Sequence, residues 1–144
     1  GLRQVTDVPV FASVDVDGQG TLPDGRTSIE EAVAMMAEFG ASVVGFECAA
    51  PEQDVVAIAR RTAGACDLPL MVQLSVARRD PKQGAASPEN PYYCADTMVS
   101  AALALRAAGV QFLRATGDAS PAYTGALAAA VMGLDVALPA GQER

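Results

Sequence analysis

The chain contains no histidine, and this absence limits the catalytic mechanisms that it could use. Histidine is the most common general base in enzymes, and it activates the nucleophile in Ser-His and Cys-His pairs. Both kinds of pair are therefore excluded for these 144 residues. Cysteine is also scarce, with 3 residues at irregular spacing. An odd number of cysteines favours reduced thiols over a disulfide framework, and it predicts a cytoplasmic protein.

Long apolar runs and an excess of basic residues are missing as well. No run approaches the roughly 20 apolar residues that a membrane span needs, and no basic segment followed by an apolar one opens the sequence. We therefore expect neither a membrane span nor a signal peptide. Lys and Arg total 10 against 17 Asp and Glu, so the net charge is −7. Because an acidic surface repels phosphate groups, we expect no nucleic acid or anionic membrane as a partner.

The sequence instead contains a regular alternation of short apolar segments and amphipathic segments. Apolar, β-branched runs bounded by turn residues predict four strands, at Val8–Val14, Ser42–Phe46, the segment opening with Asp67-Leu-Pro-Leu, and Val110–Arg114. Helical spacing, prolines at helix starts and glycines at helix ends predict four helices, at Ser28–Gly40, from Pro51 onward, from about Pro91 to Ala108, and from Ser120 or Pro121 to about Met132 with Gly133 as its stop.

The two halves of the chain repeat each other. The matching positions are Asp7-Val-Pro-Val with Asp67-Leu-Pro-Leu, Phe39-Gly40 with Ala108-Gly109, and Pro51 with Pro121. The chain therefore reads as two copies of a βαβα unit, which predicts an α/β fold with a parallel sheet and the helices outside.

Four parallel strands form an incomplete fold, because an open sheet leaves two edge strands unpaired. Eight βα units close into a barrel that has no edge. We therefore predict half of a (β/α)8 barrel over residues 1–133, followed by a tail at residues 134–144. The other half would come from a second copy, which makes a homo-oligomer, or from another half-barrel segment. The alternative is a small flavodoxin-like open sheet.

Small and polar residues stand where the predicted strands end, which is the edge at which parallel α/β folds bind their substrates. The candidate substrate-binding residues are Asp15, Asp17, Glu47, Ser75, Thr116 and Asp118. The segment around Asp15 and Asp17 resembles a calcium loop, but Arg26 occupies the position where such a loop requires glutamate. Arg78, Arg79 and Lys82 in the long loop after the third strand could bind a carboxylate or phosphate, or lie in solvent.

Four blocks of the sequence resemble a known family. FASVDVDGQGTLPDGRTSIEEAV, GASVVGFECAAPEQ, DLPLMVQLSV and AAGVQFLRATGDASPAY are similar, in this order, to the second half of a homocysteine S-methyltransferase domain. This domain occurs in cobalamin-dependent methionine synthases and betaine–homocysteine methyltransferases. The resemblance implies a barrel in which three cysteine thiolates hold a zinc ion, and the zinc binds the sulfur of homocysteine. It also implies a methyl transfer in one-carbon metabolism and methionine biosynthesis.

The resemblance breaks down at the zinc ligands. Cys48 matches the first ligand, although the family's preceding asparagine is Glu47 here. The family's paired cysteines fall at Thr116 and Gly117, and neither residue supplies a thiolate. The family's P-N-A-G turn is Leu74-Ser75-Val76-Ala77. The resemblance therefore implies a methyltransferase-like protein with a degenerate zinc site, in which Cys48 is the remaining metal-ligand position.

Cys66 and Cys94 are predicted too far from Cys48 to complete that site, so we expect no zinc or other cofactor in this chain. Three functions remain open. The first is a homocysteine S-methyltransferase-like protein or fragment. The second is a non-catalytic scaffold or accessory subunit that pairs with a corrinoid or folate methyltransferase partner. The third is a different barrel enzyme that uses carboxylates Asp15, Asp17, Glu47 and Asp118.

Overall fold

A computed structural model of the chain describes residues 8–78, 82 and 84–135. Within these residues, strands and helices alternate. The strands are β1 (Phe11–Asp15), β2 (Val43–Cys48), β3 (Leu70–Val76) and β4 (Phe112–Gly117), and the helices are α1 (Ile29–Glu38), α2 (Glu52–Ala65), α3 (Ala95–Ala107) and α4 (Pro121–Asp135). No helix in this described part combines the length and the apolar character required to cross a membrane.

The strands form one parallel sheet in the order β1-β2-β3-β4, so sequence neighbours are also neighbours in space. Each helix connects two adjacent parallel strands or follows the last one, and right-handed crossovers place all the helices on one face of the sheet. The architecture is the predicted α/β half-barrel. β1 and β4 are its edge strands.

The hydrophobic core lies between the sheet and the helices. Alternate residues of a strand point to opposite faces, and on β3 the residues Leu70, Val72, Leu74 and Val76 are buried while those between them are half-buried. We call the helix-covered face of the sheet the outer face and the opposite one the inner face. The helices contribute one apolar stripe each, including Ile29, Val33, Val55, Ile58, Met98 and Leu105, all 1% exposed or less.

The sheet curls around its inner face. Phe11 on β1 and Phe112 on β4 make an edge-to-face ring contact with centroids 5.2 Å apart. In a flat sheet three strand spacings would separate these strands by about 14 Å. The edge strands therefore bend toward each other, as they do in a barrel wall. The open flavodoxin-like sheet, which curls less, is not the fold observed.

Helix α1 begins and ends where the sequence predicts. Ser28 is its N-cap, and the Ser28 hydroxyl accepts a hydrogen bond from the Glu31 amide at 3.3 Å. Gly40 follows the C-cap with φ of 93°, a left-handed conformation that favours glycine.

Several predicted boundaries differ from the structure. β1 spans Phe11–Asp15 rather than Val8–Val14, and β2 spans Val43–Cys48 rather than Ser42–Phe46. β4 starts at Phe112 and continues to Gly117 rather than ending at Arg114, because the parallel ladder with β3 extends to its end. α3 starts at Ala95 instead of about Pro91, because Tyr92 is buried and its hydroxyl donates to the Ala50 carbonyl at 2.6 Å. α4 continues past Gly133 to Asp135. Residues 136–144 of the predicted tail, and Arg79, lie outside the described residues.

Candidate binding site at the carboxyl edge of the sheet

A row of polar residues crosses the inner face near the carboxyl ends of the strands. Strand register places Asp15 beside Glu47, Glu47 beside Gln73, and Gln73 beside Arg114. Partners in a parallel ladder point to the same face. Asp15 and Arg114 are exposed, and Glu47 and Gln73 are half-buried. The structure thus brings two of the predicted residues, Asp15 and Glu47, side by side, and adds Gln73 and Arg114, which were not predicted from the sequence.

A hydrogen bond across the inner face holds Gln73 of this row in place, and it crosses β2 near Gly45, which has no side chain. The Gln73 amide on β3 donates to the Ser13 hydroxyl on β1 at 2.9 Å, and the bond passes over β2. Register places Gly45 of β2 between Ser13 and Met71. A Cβ atom added at Gly45 would lie 1.9 Å from the Met71 carbonyl oxygen. Glycine is therefore required for the close approach of β2 and β3 at this point.

Ser75 and Thr116 form a second predicted pair at the same edge. They are register partners on β3 and β4. The Thr116 hydroxyl is buried and has no hydrogen-bond partner. Gly117, which follows it, has φ of 69°, and an added Cβ would lie 2.4 Å from the Val76 carbonyl oxygen. The two positions that match the family's paired cysteines therefore differ: one carries an unused hydroxyl, and the other has no space for a side chain.

Asp17 differs from the other candidates because its carboxylate bonds within its own loop. It accepts hydrogen bonds from the Gln19 amide at 2.8 Å and the Thr21 amide at 3.0 Å. These bonds, Thr21 first, lower the pKa of Asp17 below its usual range. Arg61 of α2 holds the same loop by donating to the Gln19 carbonyl at 2.7 Å and to Glu30 of α1. The Asp17 carboxylate therefore stabilises the turn that follows β1.

Cys48 faces the core rather than the inner face. It is 2% exposed and belongs to the hydrophobic core. Its sulfur lies 3.6 Å from the Asp17 carbonyl oxygen and accepts from the Ala50 amide at 3.4 Å. Burial raises the pKa of the Cys48 thiol, and the charges of Asp17 and Asp54 raise it further. A raised pKa makes the thiol give up its proton less readily, which disfavours the thiolate that a zinc ligand requires.

Glu47 and Cys48 consequently point to opposite faces of β2, so they do not share a metal site with Asp118. Within residues 8–78, 82 and 84–135, no group of three or more His, Cys, Asp or Glu side chains is placed to hold a metal ion. The residues present do not fit the three-thiolate zinc site that the family resemblance implies.

The different environments of the cysteines lead to a prediction about thiol reactivity. Cys94, the N-cap of α3, is exposed, while Cys48 is buried. Because alkylation requires an accessible thiolate, we expect iodoacetamide at mildly alkaline pH to modify Cys94 first and Cys48 only on unfolding. Mass spectrometry of tryptic peptides over time measures both. Rapid labelling of Cys48 in the folded protein would contradict the core position.

Asp118 lies at a cavity beyond the ends of β3 and β4. The cavity has a volume of about 440 Å³. Its polar lining residues are Arg78, Asn90, Tyr93, Asp118, Ser120 and Tyr123. Of these, Asp118 was predicted as a substrate-binding residue and Arg78 as part of a basic cluster, and the other four were not selected. The only signal in the sequence is the Pro-Tyr-Tyr segment after Asn90, since aromatic residues in a polar loop are commonly buried as anchors.

Two tyrosines fix the wall of this cavity. The Tyr123 hydroxyl of α4 donates to the Tyr92 carbonyl at 2.8 Å, and the Tyr92 hydroxyl donates to the Ala50 carbonyl beside β2 at 2.6 Å. Burial raises the pKa of Tyr92 far above its usual range, so the hydroxyl keeps the proton that it donates. The loop before α3 is thus attached to both neighbouring βα units.

Comparison with known proteins gives structural matches only. No protein-family model matches the chain, and no curated protein sequence matches it at a significant level. The homocysteine methyltransferase MmuM from Escherichia coli superposes in its apo form with a TM-score of 0.61 at 21% identity, over 90% of this chain and 41% of that one. The oxidized form of the same enzyme superposes with a TM-score of 0.57 at 22% identity, over 83% of this chain and 35% of that one.

A dihydropteroate synthase from Xanthomonas albilineans, solved with 4-aminobenzoic acid, gives a TM-score of 0.52 at 19% identity, over 89% of this chain and 45% of that one. The chain spans less than half the length of each of these structures. Identities this low establish the fold alone, and the fold is that of half a (β/α)8 barrel.

Proposed function

We propose that the chain is half of a methyl-transfer barrel of the homocysteine S-methyltransferase type, and that its carboxyl edge contributes to binding a thiol amino acid without holding zinc. The sequence resemblance and the shared fold support this proposal. The observation that carries it is the Asp15–Glu47 pair on the open inner face. Two adjacent carboxylates favour the ammonium group of an amino acid, and they lie at the edge where barrels bind substrates.

Titration with L-homocysteine under reducing conditions tests the binding role. We expect saturable binding by calorimetry, and we expect Glu47→Gln to weaken it about tenfold because the variant loses a charge-assisted hydrogen bond. Glu38→Gln is the matched control, since Glu38 is exposed at the end of α1, at the opposite edge of the sheet. If the wild-type chain binds no homocysteine, the binding role is wrong and the accessory-subunit alternative is favoured.

We also propose that a second copy of the chain completes the barrel. Apolar grooves flank both edge strands, one of about 360 Å³ between β1 and α1 and one of about 290 Å³ between β4 and α4. In a closed barrel each groove is filled by the next βα unit. A twofold axis along the barrel would place β4 of each copy beside β1 of the other, and both edges would then be paired.

The mass in solution tests this arrangement. We expect a dimer by light scattering and a monomer for Met35→Lys, because Met35 is 54% exposed and lines the groove beside β1. Leu103→Lys is the control, since Leu103 is 42% exposed on α3, which contacts neither edge strand closely. A wild-type monomer, or a dimer that survives Met35→Lys, would contradict the proposed assembly.

A further inference from the structure

The polar row on the inner face ends at Arg114, a positive charge that the binding of an ammonium group does not use. Phe112, two residues earlier on β4, contacts Phe11 on the inner face. Leu113 and Ala115 pack against the core on the outer face. Because alternate residues of a strand share a face, Arg114 lies on the inner face with Phe112. It is exposed, and in the part of the chain that the structure describes its guanidinium has no ion pair or hydrogen bond.

The parallel ladder sets the distance between Arg114 and the carboxylates of the row. Register places Glu47 and Arg114 two strands apart, on either side of Gln73. Neighbouring strands lie about 4.8 Å apart, so the Cα atoms of Glu47 and Arg114 are roughly 10 Å from each other. Side chains stand nearly perpendicular to a sheet, and the curl of this sheet brings their ends closer. A negative and a positive group therefore face one accessible space from rigid strands.

Gln73, which stands between these two groups, does not join them. Its amide donates to the Ser13 hydroxyl on β1 at 2.9 Å, so the side chain leans over β2 and away from Arg114. Glu47 and Arg114 also make no ion pair with each other in the described residues. A ligand that lies over β3 can therefore meet the Glu47 carboxylate at one end and the Arg114 guanidinium at the other.

We infer that Arg114 binds the α-carboxylate of the amino acid whose ammonium group lies at Asp15 and Glu47, an inference that rests on the proposed function. In an α-amino acid the ammonium nitrogen and a carboxylate oxygen are about 3 Å apart, and a hydrogen bond of about 2.9 Å at each end extends this span to roughly 9 Å. The span matches the separation of Glu47 and Arg114. A guanidinium pairs with a carboxylate through two parallel hydrogen bonds. The site therefore selects zwitterionic α-amino acids over amines that lack the carboxylate.

L-Homocysteine and aminopropanethiol are matched probes for this role, because the second is the same molecule without its carboxylate. Calorimetry under reducing conditions measures the affinity of both. We expect the wild-type chain to bind homocysteine about tenfold more tightly than aminopropanethiol, since only homocysteine makes charge-assisted hydrogen bonds to Arg114. Arg114→Gln should weaken homocysteine binding about tenfold and leave aminopropanethiol binding unchanged. Glu47→Gln should weaken the binding of both probes, because both carry the ammonium group.

Arg60→Gln is the matched control, because it removes the same charge at an exposed position of α2 on the outer side, and it should leave both affinities unchanged. The wild-type comparison of the two probes holds even where Arg114→Gln fails to fold. Equal affinity of the wild-type chain for both probes, or equal weakening of both by Arg114→Gln, would overturn the inference while the proposed function stands. A wild-type chain that binds no homocysteine would overturn both.

Discussion

Replacing Gly45 by alanine is expected to lower the free energy of unfolding by about 3 kcal/mol, at the upper end of the usual cost of overpacking. The added Cβ would lie 1.9 Å from the Met71 carbonyl oxygen, and the obstacle is backbone rather than a flexible side chain. The β2–β3 ladder would have to separate, which would also break the Gln73–Ser13 bond across the inner face. Urea denaturation followed by circular dichroism measures the loss.

Gly125→Ala is the control for this experiment. Gly125 lies in α4 with nothing within 4 Å of its added Cβ, so alanine there should raise the free energy of unfolding by about 0.5–1 kcal/mol. The two substitutions should thus change the free energy of unfolding in opposite directions, with Gly45→Ala lowering it and Gly125→Ala raising it. Unchanged stability of Gly45→Ala would show that the curvature of the sheet does not depend on this contact.

Introducing the paired cysteines of the homocysteine S-methyltransferases, by Thr116→Cys with Gly117→Cys, is expected to destabilise the protein and to give no zinc site. The Gly117 backbone has φ of 69°, and its added Cβ would lie 2.4 Å from the Val76 carbonyl oxygen. We expect a loss of about 3 kcal/mol from strain and overlap. Cys48 in the core would also have to turn and lose its proton before it could bind zinc.

Elemental analysis after dialysis against zinc measures the outcome, and thermal unfolding measures the strain. Thr116→Cys alone is the control, because it changes a hydroxyl without a partner into a thiol of similar size and should leave the fold intact. One tightly held zinc per folded double variant would contradict this account. It would mean that two substitutions are enough to build a zinc site on this half-barrel.

The sequence predicts the order and type of the elements because these depend on local signals. The Ser28 cap, the Gly40 stop and the apolar strands act within a few residues, so they can be recognised without tertiary information. The half-barrel also follows, since the βα repeat leaves few topologies. The strand ends were misplaced because the β3–β4 ladder, rather than propensity, determines where β4 stops.

The site was predicted less completely than the fold, for a physical reason. Asp15 and Glu47 lie at the carboxyl ends of strands. They can be predicted from the sequence because parallel α/β folds bind ligands at those ends. Asn90 lies in a loop without periodicity, and its burial depends on contacts with Ser87 and neighbouring elements. The sequence also does not indicate which face of β2 carries Cys48. This strand is buried at nearly every position, so apolar and polar residues do not alternate along it.

The contact between Phe11 and Phe112 has a consequence for assembly. It holds the edge strands β1 and β4 together within one chain, so the sheet is already curved before it associates with a second half-barrel. Two such halves would meet as preformed curved surfaces, and little folding would accompany their association. Closure should then show the second-order kinetics of rigid docking and a heat-capacity change proportional to the edge grooves alone.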